Sequence, residues 1–328
     1  MHVGSHYKIS EFLLWTRRDI YALVILATIP TVLFQVFDFK WIAIPWVPVA
    51  LVGTAAAFVV GFKNTQTYNR LWEARQIWGG IVNTSRTWGI MSKDFVKNDS
   101  LETEQLIYRH FAWLTALRFQ LRRPQSWENS NKKYNIEYRN HFNVPEWEEK
   151  LEDELKKYLS ETDYSYIISK KNRATQLITL QSKHLKLLRE KGKIDHYEYV
   201  EMERRLADFF DHQGKCERIK NFPYPRQFAS INLFFVWLLV LMLPFGMLNE
   251  FHKLGEHFVW LTIPFTVIVS WVFTSMEKVG EATENPFEGG ANDIPMAALS
   301  RTIEIDLRDM LDESKLPDPI TPVNNILM

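Results

Sequence analysis

The chain has 328 residues, with 39 Lys plus Arg against 39 Asp plus Glu, and one cysteine. Balanced charge offers nucleic acid no electrostatic footprint, and a single thiol excludes an intrachain disulfide. The mean hydropathy is slightly polar, but the apolar residues are gathered into blocks, so the average conceals them.

Residues 1–19 carry Lys8, Glu11, Arg17, Arg18 and Asp19 and no apolar core of signal length, so no cleavable signal peptide is expected. Ile9, Phe12, Leu13 and Trp15 fall near one helical face. That pattern fits a short helix at a membrane interface or an ordinary amphipathic core helix. Four segments then lack Asp, Glu, Lys and Arg: 20–37 (IYALVILATIPTVLFQVF), 44–62 (IPWVPVALVGTAAAFVVGF), 229–248 (ASINLFFVWLLVLMLPFGML) and 258–276 (FVWLTIPFTVIVSWVFTSM). Each approaches the ~20 residues an α-helix needs to cross a hydrocarbon core. Pro30, Pro45, Pro48, Pro244 and Pro264 would break soluble helices but are tolerated in membrane ones. The short connections 38–43 and 249–257 carry only Lys40 and Lys253, whereas Arg17, Arg18, Lys63, Arg70, Arg75, Lys220, Arg226 and Lys278 flank the other ends. The positive-inside rule therefore puts both termini and the middle of the chain in the cytoplasm.

Between spans two and three the apolar residues recur at three and four, which predicts helices near 65–96, 102–122, 145–160, 163–192 and 194–218. Residues 129–143 read as a loop, and the acidic run 146–154 reads as a solvated helix face. After span four, ENPFEGGANDIP reads as a loop. A helix at 296–313 and an extended arm at 315–328, with little to bury, follow. The expected class is all-α, divided into an interfacial helix (1–19), transmembrane helices 1 and 2 (20–62), a cytoplasmic helical domain (63–228), transmembrane helices 3 and 4 (229–276) and a cytoplasmic loop, helix and arm (277–328).

Signals for catalysis are weak. There is no Gly-rich phosphate loop, no His-Glu pair of metalloprotease type and no paired-cysteine site. His184, His196 and His212 are not at ligand spacing and read as structural, and Cys216 reads as a buried thiol. No enzyme activity, cofactor or metal is expected. Spans without ionisable residues also argue against a proton relay within the membrane.

The informative segment is span two and its continuation. Thr54, Phe58 and Phe62, spaced by four, stack on one stripe, and Ala55, Ala56 and Ala57 let neighbouring helices approach closely. Such a stripe either packs against lipid and helices or, repeated around an axis, lines a tube that gates by dewetting. A chain with four helices encloses no aqueous path, so a pore would need several copies. A membrane scaffold or enzyme is the competing class, with Asn64, Gln66 and Asn69 as a small-molecule pocket.

The run GFKNTQTYNRLWEARQIWG, containing Lys63, Asn64, Gln66, Tyr68, Arg70, Trp72, Glu73, Arg75 and Trp78, resembles the signature of the bestrophin family, in particular its bacterial members. ENPF and NDIP, with Asn285, Pro286, Phe287, Asn292, Asp293 and Pro295, resemble the loop that follows span four in that family. The resemblance runs over nearly the whole chain. It implies a homopentameric ion channel in lipid, its neck formed by span two and its cytoplasmic helices lining a vestibule with a second constriction, sought in helix 194–218. The family's ring of three bulky apolar residues falls on Thr54, Phe58 and Phe62; Thr54 departs from the usual aliphatic. Animal members carry an acidic calcium clasp after the NPF element. Here only Asp293 matches it, and Ala282 stands where an amide is expected, so calcium independence is expected. The family implies monovalent ions as cargo, chloride and other anions first. Cations are the rival, favoured by a mildly acidic outer mouth of Asp38, Lys40, Glu250, Lys253 and Glu256.

Overall fold

The computed structural model describes residues 1–97 and 99–328. Among these, no strand forms; only isolated bridges occur. The chain divides into two compact units, one of Gly4–Arg70 and Pro223–Glu284, the other of Met1–Val3, Leu71–Phe222 and Asn285–Met328.

The first unit contains α1 (Ile9–Gln35), the beginning of α2 (Trp46–Phe95), α10 (Arg226–His252) and α11 (Thr262–Thr283). All four are long and apolar enough to cross a membrane. The amphipathic start at Ile9 runs without a break into span one, so α1 is one element. Pro30 and Pro244 lie inside α1 and α10. Helices pack through small and branched residues: Leu23, Val60, Val236 and Val240 form one cluster, and Val49, Ala56, Leu239 and Leu243 another. At Gly246 any Cβ would stand 2.7 Å from Val49, so glycine sets how closely α10 meets α2. The large apolar residues outside these seams, such as Ile25, Leu51 and Phe234, are exposed.

The second unit is built around α3 (Ser100–Leu121), whose residues 109–118 are all buried. Its charges are buried because they are paired: Arg109 meets Asp163 at 2.7 Å and Arg118 meets Glu146 at 2.8 Å. α6 (Leu151–Lys156), α8 (Arg173–Glu190), α9 (His196–Asn221) and α12 (Met296–Met310) pack on it. Trp78, Trp88, Trp113, Phe209 and Cys216 lie in one continuous core. His110 sits among them, stacked on Trp113 at 5.3 Å and joined to Ser85 Oγ at 2.8 Å. Burial lowers its pKa to about 3.

Several expected boundaries shift. Span two and the helix expected at 65–96 form a single helix of 50 residues. The helix expected at 145–160 breaks into α5 (Pro145–Glu148) and α6, because Glu149 is extended. The one expected at 163–192 breaks into α7 (Glu161–Ile168) and α8, where the Asn172 side chain accepts the Thr175 N–H and caps a new start. The loop expected at 129–143 contains a short helix, α4 (Lys133–Arg139). The C-terminal arm is non-helical as expected, yet Ile326 and Met328 bury against Phe142 and Val144. Nor is the run 146–154 a solvated face: Glu146 and Glu154 are buried, drawn in by Arg118.

Candidate functional site

In the first unit α2 presents two contrasting faces. Ala56, Val60, Lys63 and Thr67 are buried, one turn apart. On the other side Thr54, Phe58, Phe62 and Thr65 are exposed, Phe58 at 76%. Thr54 Oγ1 donates to the Ala50 carbonyl at 2.9 Å and Thr65 Oγ1 to that of Gly61 at 3.0 Å. Both hydroxyls are satisfied within the helix, so the stripe is less polar than its composition. Phe228 at the start of α10 lies 6.1 Å from Phe62, ring to ring, and joins the aromatic end of the stripe. Its distance in sequence hid it.

The motif after the stripe anchors the helix. Lys63 Nζ meets Glu277 Oε1 at 2.5 Å, with both side chains nearly sealed at 2% and 6% exposure. Asn64 donates to the Met276 carbonyl at 3.2 Å, which ties its amide to α11 instead of opening a pocket. The Thr283 hydroxyl donates to that of Thr67, and Arg70 Nε donates to the Glu284 carbonyl, both at 3.0 Å. Arg226 closes the same end on the Glu284 carboxylate at 2.5 Å. Gln66 is half-buried and Tyr68 exposed. Sequence spacing marked Lys63, Asn64 and Arg70 but not their partners on α11 and at its end, more than 200 positions away.

The rest of the motif and the later loop belong to the second unit. Trp72 and Arg75 are exposed there, and Glu73 pairs with Arg218 at 2.5 Å. Asn285, Phe287, Glu288 and Asp293 are buried, and Pro286 accepts the Ile294 N–H at 3.1 Å to close the loop, which also contains the half-buried Asn292. Gly289 has φ of +93°, and a Cβ there would strike Trp147, so only glycine fits. Asp293 accepts the Gly289 N–H at 2.7 Å and Arg122 Nη1 at 3.2 Å. Arg122 Nε donates onward to Glu146 at 3.2 Å, and Arg118 to the same carboxylate at 2.8 Å. Burial pushes Asp293 above the usual carboxylate range, with Arg122 opposing it. Burial acts on Glu146 too, but Arg122 and Arg118 outweigh it and hold that pKa below its usual value. Among the described residues, no three His, Cys, Asp or Glu side chains converge as metal ligands would.

At the far end of the first unit, Lys40 pairs with Asp38 at 3.5 Å and Lys253 with Glu250 at 2.7 Å, while Glu256 is exposed.

Four apolar helices with an uncharged stripe on one of them define a multi-pass integral membrane protein. The chain belongs to the bestrophin family: the model of the bacterial/fungal bestrophin protein matches residues 17–309. Its relatives include the voltage-dependent anion channel-forming protein YneE of Escherichia coli, 27% identical over 276 residues, 84% of this chain and 80% of that protein. The voltage-dependent anion channel-forming protein sll1024 of Synechocystis is 24% identical over 254 residues, 76% of this chain and 72% of that protein. In fold, a bacterial bestrophin homologue from Klebsiella pneumoniae aligns with a TM-score of 0.76 at 24% identity, over 90% of this chain and 98% of that chain.

Proposed function

We propose that this chain is the subunit of an ion channel: a homopentamer passing monovalent ions, chloride and other small anions first, through a neck of Thr54, Phe58 and Phe62 from each copy. The observation that carries the reading is the stripe. Exposed positions on α1, α10 and α11 are mostly large and aliphatic or aromatic, such as Ile25, Ile29, Phe234 and Leu241. On α2 the exposed phenyl rings alternate with Thr54, Ala55 and Ala57, small enough for neighbouring copies to close around an axis. An uncharged aromatic neck presents positive ring edges to an anion and excludes water when empty. Membership of a family whose relatives are named anion channel-forming proteins supports the choice of cargo.

In this reading the residues from Lys63 to Arg70 fix α2 to α11 and so hold the stripe in place; Trp72, Glu73 and Arg75 continue into a cytoplasmic vestibule. The loop Asn285, Pro286, Phe287, Asn292 and Asp293 is a structural plug. Its Asp293 carboxylate already holds a guanidinium, and a calcium ion needs six to eight oxygen ligands, so channel activity is independent of calcium. The chain sits in the inner (plasma) membrane with both termini in the cytoplasm. No catalysis, cofactor or resident metal enters the function. The sodium reading retains one specific support: after the Asp38–Lys40 and Glu250–Lys253 pairs cancel, Glu256 leaves the outer end acidic.

Reversal potentials of the purified protein in a bilayer with asymmetric NaCl test the proposal. Anion selectivity gives a shift toward the chloride equilibrium potential, and a shift toward that of sodium overturns the choice of cargo. Phe58→Ala with Phe62→Ala should raise conductance; unchanged conductance removes the neck assignment.

A further inference from the structure

α7 has eight residues, too few for a helix to persist alone in water, and only one of them, Ile167, is fully buried. Its ionic tie to α3 is Asp163, which takes Arg109 Nη2 at 2.7 Å and Nε at 3.1 Å. The Arg109 side chain is sealed, at 5% exposure. Its remaining nitrogen, Nη1, donates to Gln181 Oε1 at 3.1 Å and lies 3.0 Å from His184 Nδ1, both on α8. A guanidinium nitrogen only donates, so Nδ1 is the acceptor and the imidazole is neutral. The proton is therefore on Nε2, which donates to Glu102 Oε2 at 2.7 Å. Contacts thus assign the tautomer, and one imidazole bridges two charged groups of α3.

The neighbours leave little slack. Gln181 is fixed at its other end, donating to the Leu106 carbonyl at 2.6 Å, and Glu102 also takes Lys191 at 3.4 Å. From α9, which packs on α8 too, Glu203 accepts the Ser182 hydroxyl at 2.9 Å, and Tyr199 lies under the Arg189 guanidinium at 4.6 Å. The charges that act on His184 are those of Arg109, Glu102 and Asp163. Burial, and then the Arg109 charge, hold its pKa below 6.5, against the pull of Glu102 and Asp163. Folding therefore favours the neutral ring. That support is complete above pH 6.5 and is lost as pH falls.

We propose that His184 is an acid-sensitive latch: protonation at Nδ1 breaks its contact with Arg109, and α7 is released from the second unit. A proton on Nδ1 sets N–H against N–H, and cation against cation, at 3.0 Å. The ring stays where it is, because the charged imidazole holds Glu102 by a stronger, charge-assisted bond. The guanidinium gives way, and Asp163 moves with it. α7 then keeps one buried apolar residue and loses its ionic tie, so the change is from order to disorder in a single segment. Protons have access: the side chains of His184 and Asp163 are 10% and 16% exposed.

The test is electron paramagnetic resonance of a nitroxide on α7 in the detergent-solubilised full-length chain. The native thiol, Cys216, is buried, so Ser165→Cys, at an exposed position, takes the label selectively. A separate label at Ala207→Cys, exposed on α9, reports general acid unfolding, including any that follows from protonation of His110. From about pH 7.5 to about pH 5 the mobile fraction at 165 should rise several-fold, with its midpoint below pH 6.5, while that at 207 stays constant. His184→Gln, whose amide can still accept from Arg109, should abolish the rise. Glu102→Gln removes a carboxylate that favours the charged ring, so the midpoint should move to lower pH. Asp163→Asn should be mobile at every pH. An unchanged thermal melt at neutral pH shows that a variant is folded; Glu102 is only half-buried and carries the test if His184→Gln fails to fold. No rise at 165, an equal rise at 207, or a response that neither folded variant alters overturns the proposal. None of these outcomes depends on whether the chain conducts ions.

Discussion

In the membrane unit Ile25, Leu51 and Phe234 are exposed, whereas in the other unit Trp88, Trp113 and Phe209 are sealed inside. The helix starts differ too, though less sharply. In the second unit α3, α7, α8 and α9 begin on Asp99, Ser160, Asn172 and Asp195, whose side chains accept backbone N–H groups, while α4, α5, α6 and α12 begin without a side-chain cap. α1, α10 and α11 begin on Lys8, Pro225 and Leu261, with no side-chain cap. The contrast teaches what each solvent demands. In hydrocarbon, apolar surface costs nothing and backbone bonds are satisfied within the helix. In water, the driving force is burial, and the side-chain caps fall on the longer helices and α7.

The contrast can be broken or sharpened by substitution. The largest effect should come from Lys63, because removing one member of a buried ion pair strands the other. Lys63→Met should lower stability by about 3–5 kcal/mol, and adding Glu277→Leu should restore most of it. Thermal unfolding in detergent, followed by tryptophan fluorescence, reads both; equal loss in the single and double variants would show that the pair is not the cause. Next comes a charge placed on an exposed leucine in each unit. Leu241 is 48% exposed and Leu101 75%. Leu241→Lys should cost membrane insertion about 2.5–3.5 kcal/mol, while Leu101→Lys should change stability by no more than about 0.5 kcal/mol. Insertion assays and thermal melts distinguish them.

Acid should act on the second unit through His110. Its pKa lies near 3 when folded, below the 6.5 of a free imidazole. The neutral form is therefore stabilised by folding, fully so above pH 6.5, and that contribution is lost as pH falls toward 3. Between pH 6.5 and 5 this one group should remove about 2 kcal/mol. In His110→Gln, which keeps a bond to Ser85, the slope of stability against pH should flatten over that window. An unchanged slope would assign the acid sensitivity elsewhere. The smallest effect concerns the caps. Asp195 and Glu198 form a reciprocal capping box at the start of α9. Asp195→Ala should cost about 1 kcal/mol, whereas Lys8→Ala should change little. Hydrogen exchange at the first turns of α9 and α1 compares the two.

Most of the membrane unit was legible in the sequence, because blocks of about 20 apolar residues leave few alternatives. The stripe Thr54, Phe58, Phe62 was legible as a period of four, and its exposure agrees with that spacing. The partners that hold the stripe were not, since Lys63 and Glu277 lie 214 positions apart and no local pattern links them. The acidic run 146–154 misled for a related reason. Binary patterning treats carboxylates as surface, and it took Arg118, 28 positions away, to make Glu146 a core residue. Helix breaks after Glu148 and Ile168 were also hidden. They depend on single extended or capping residues within windows whose composition remains helical.

The Lys63–Glu277 contact also bears on how this sequence can drift over generations. A change at either position alone breaks a buried ion pair between two membrane helices, so most single-step routes pass through a less stable ancestor. The two sites should therefore be inherited as a unit, both charged or both apolar. A descendant lineage with one altered and the other intact should carry a third substitution within reach of the survivor.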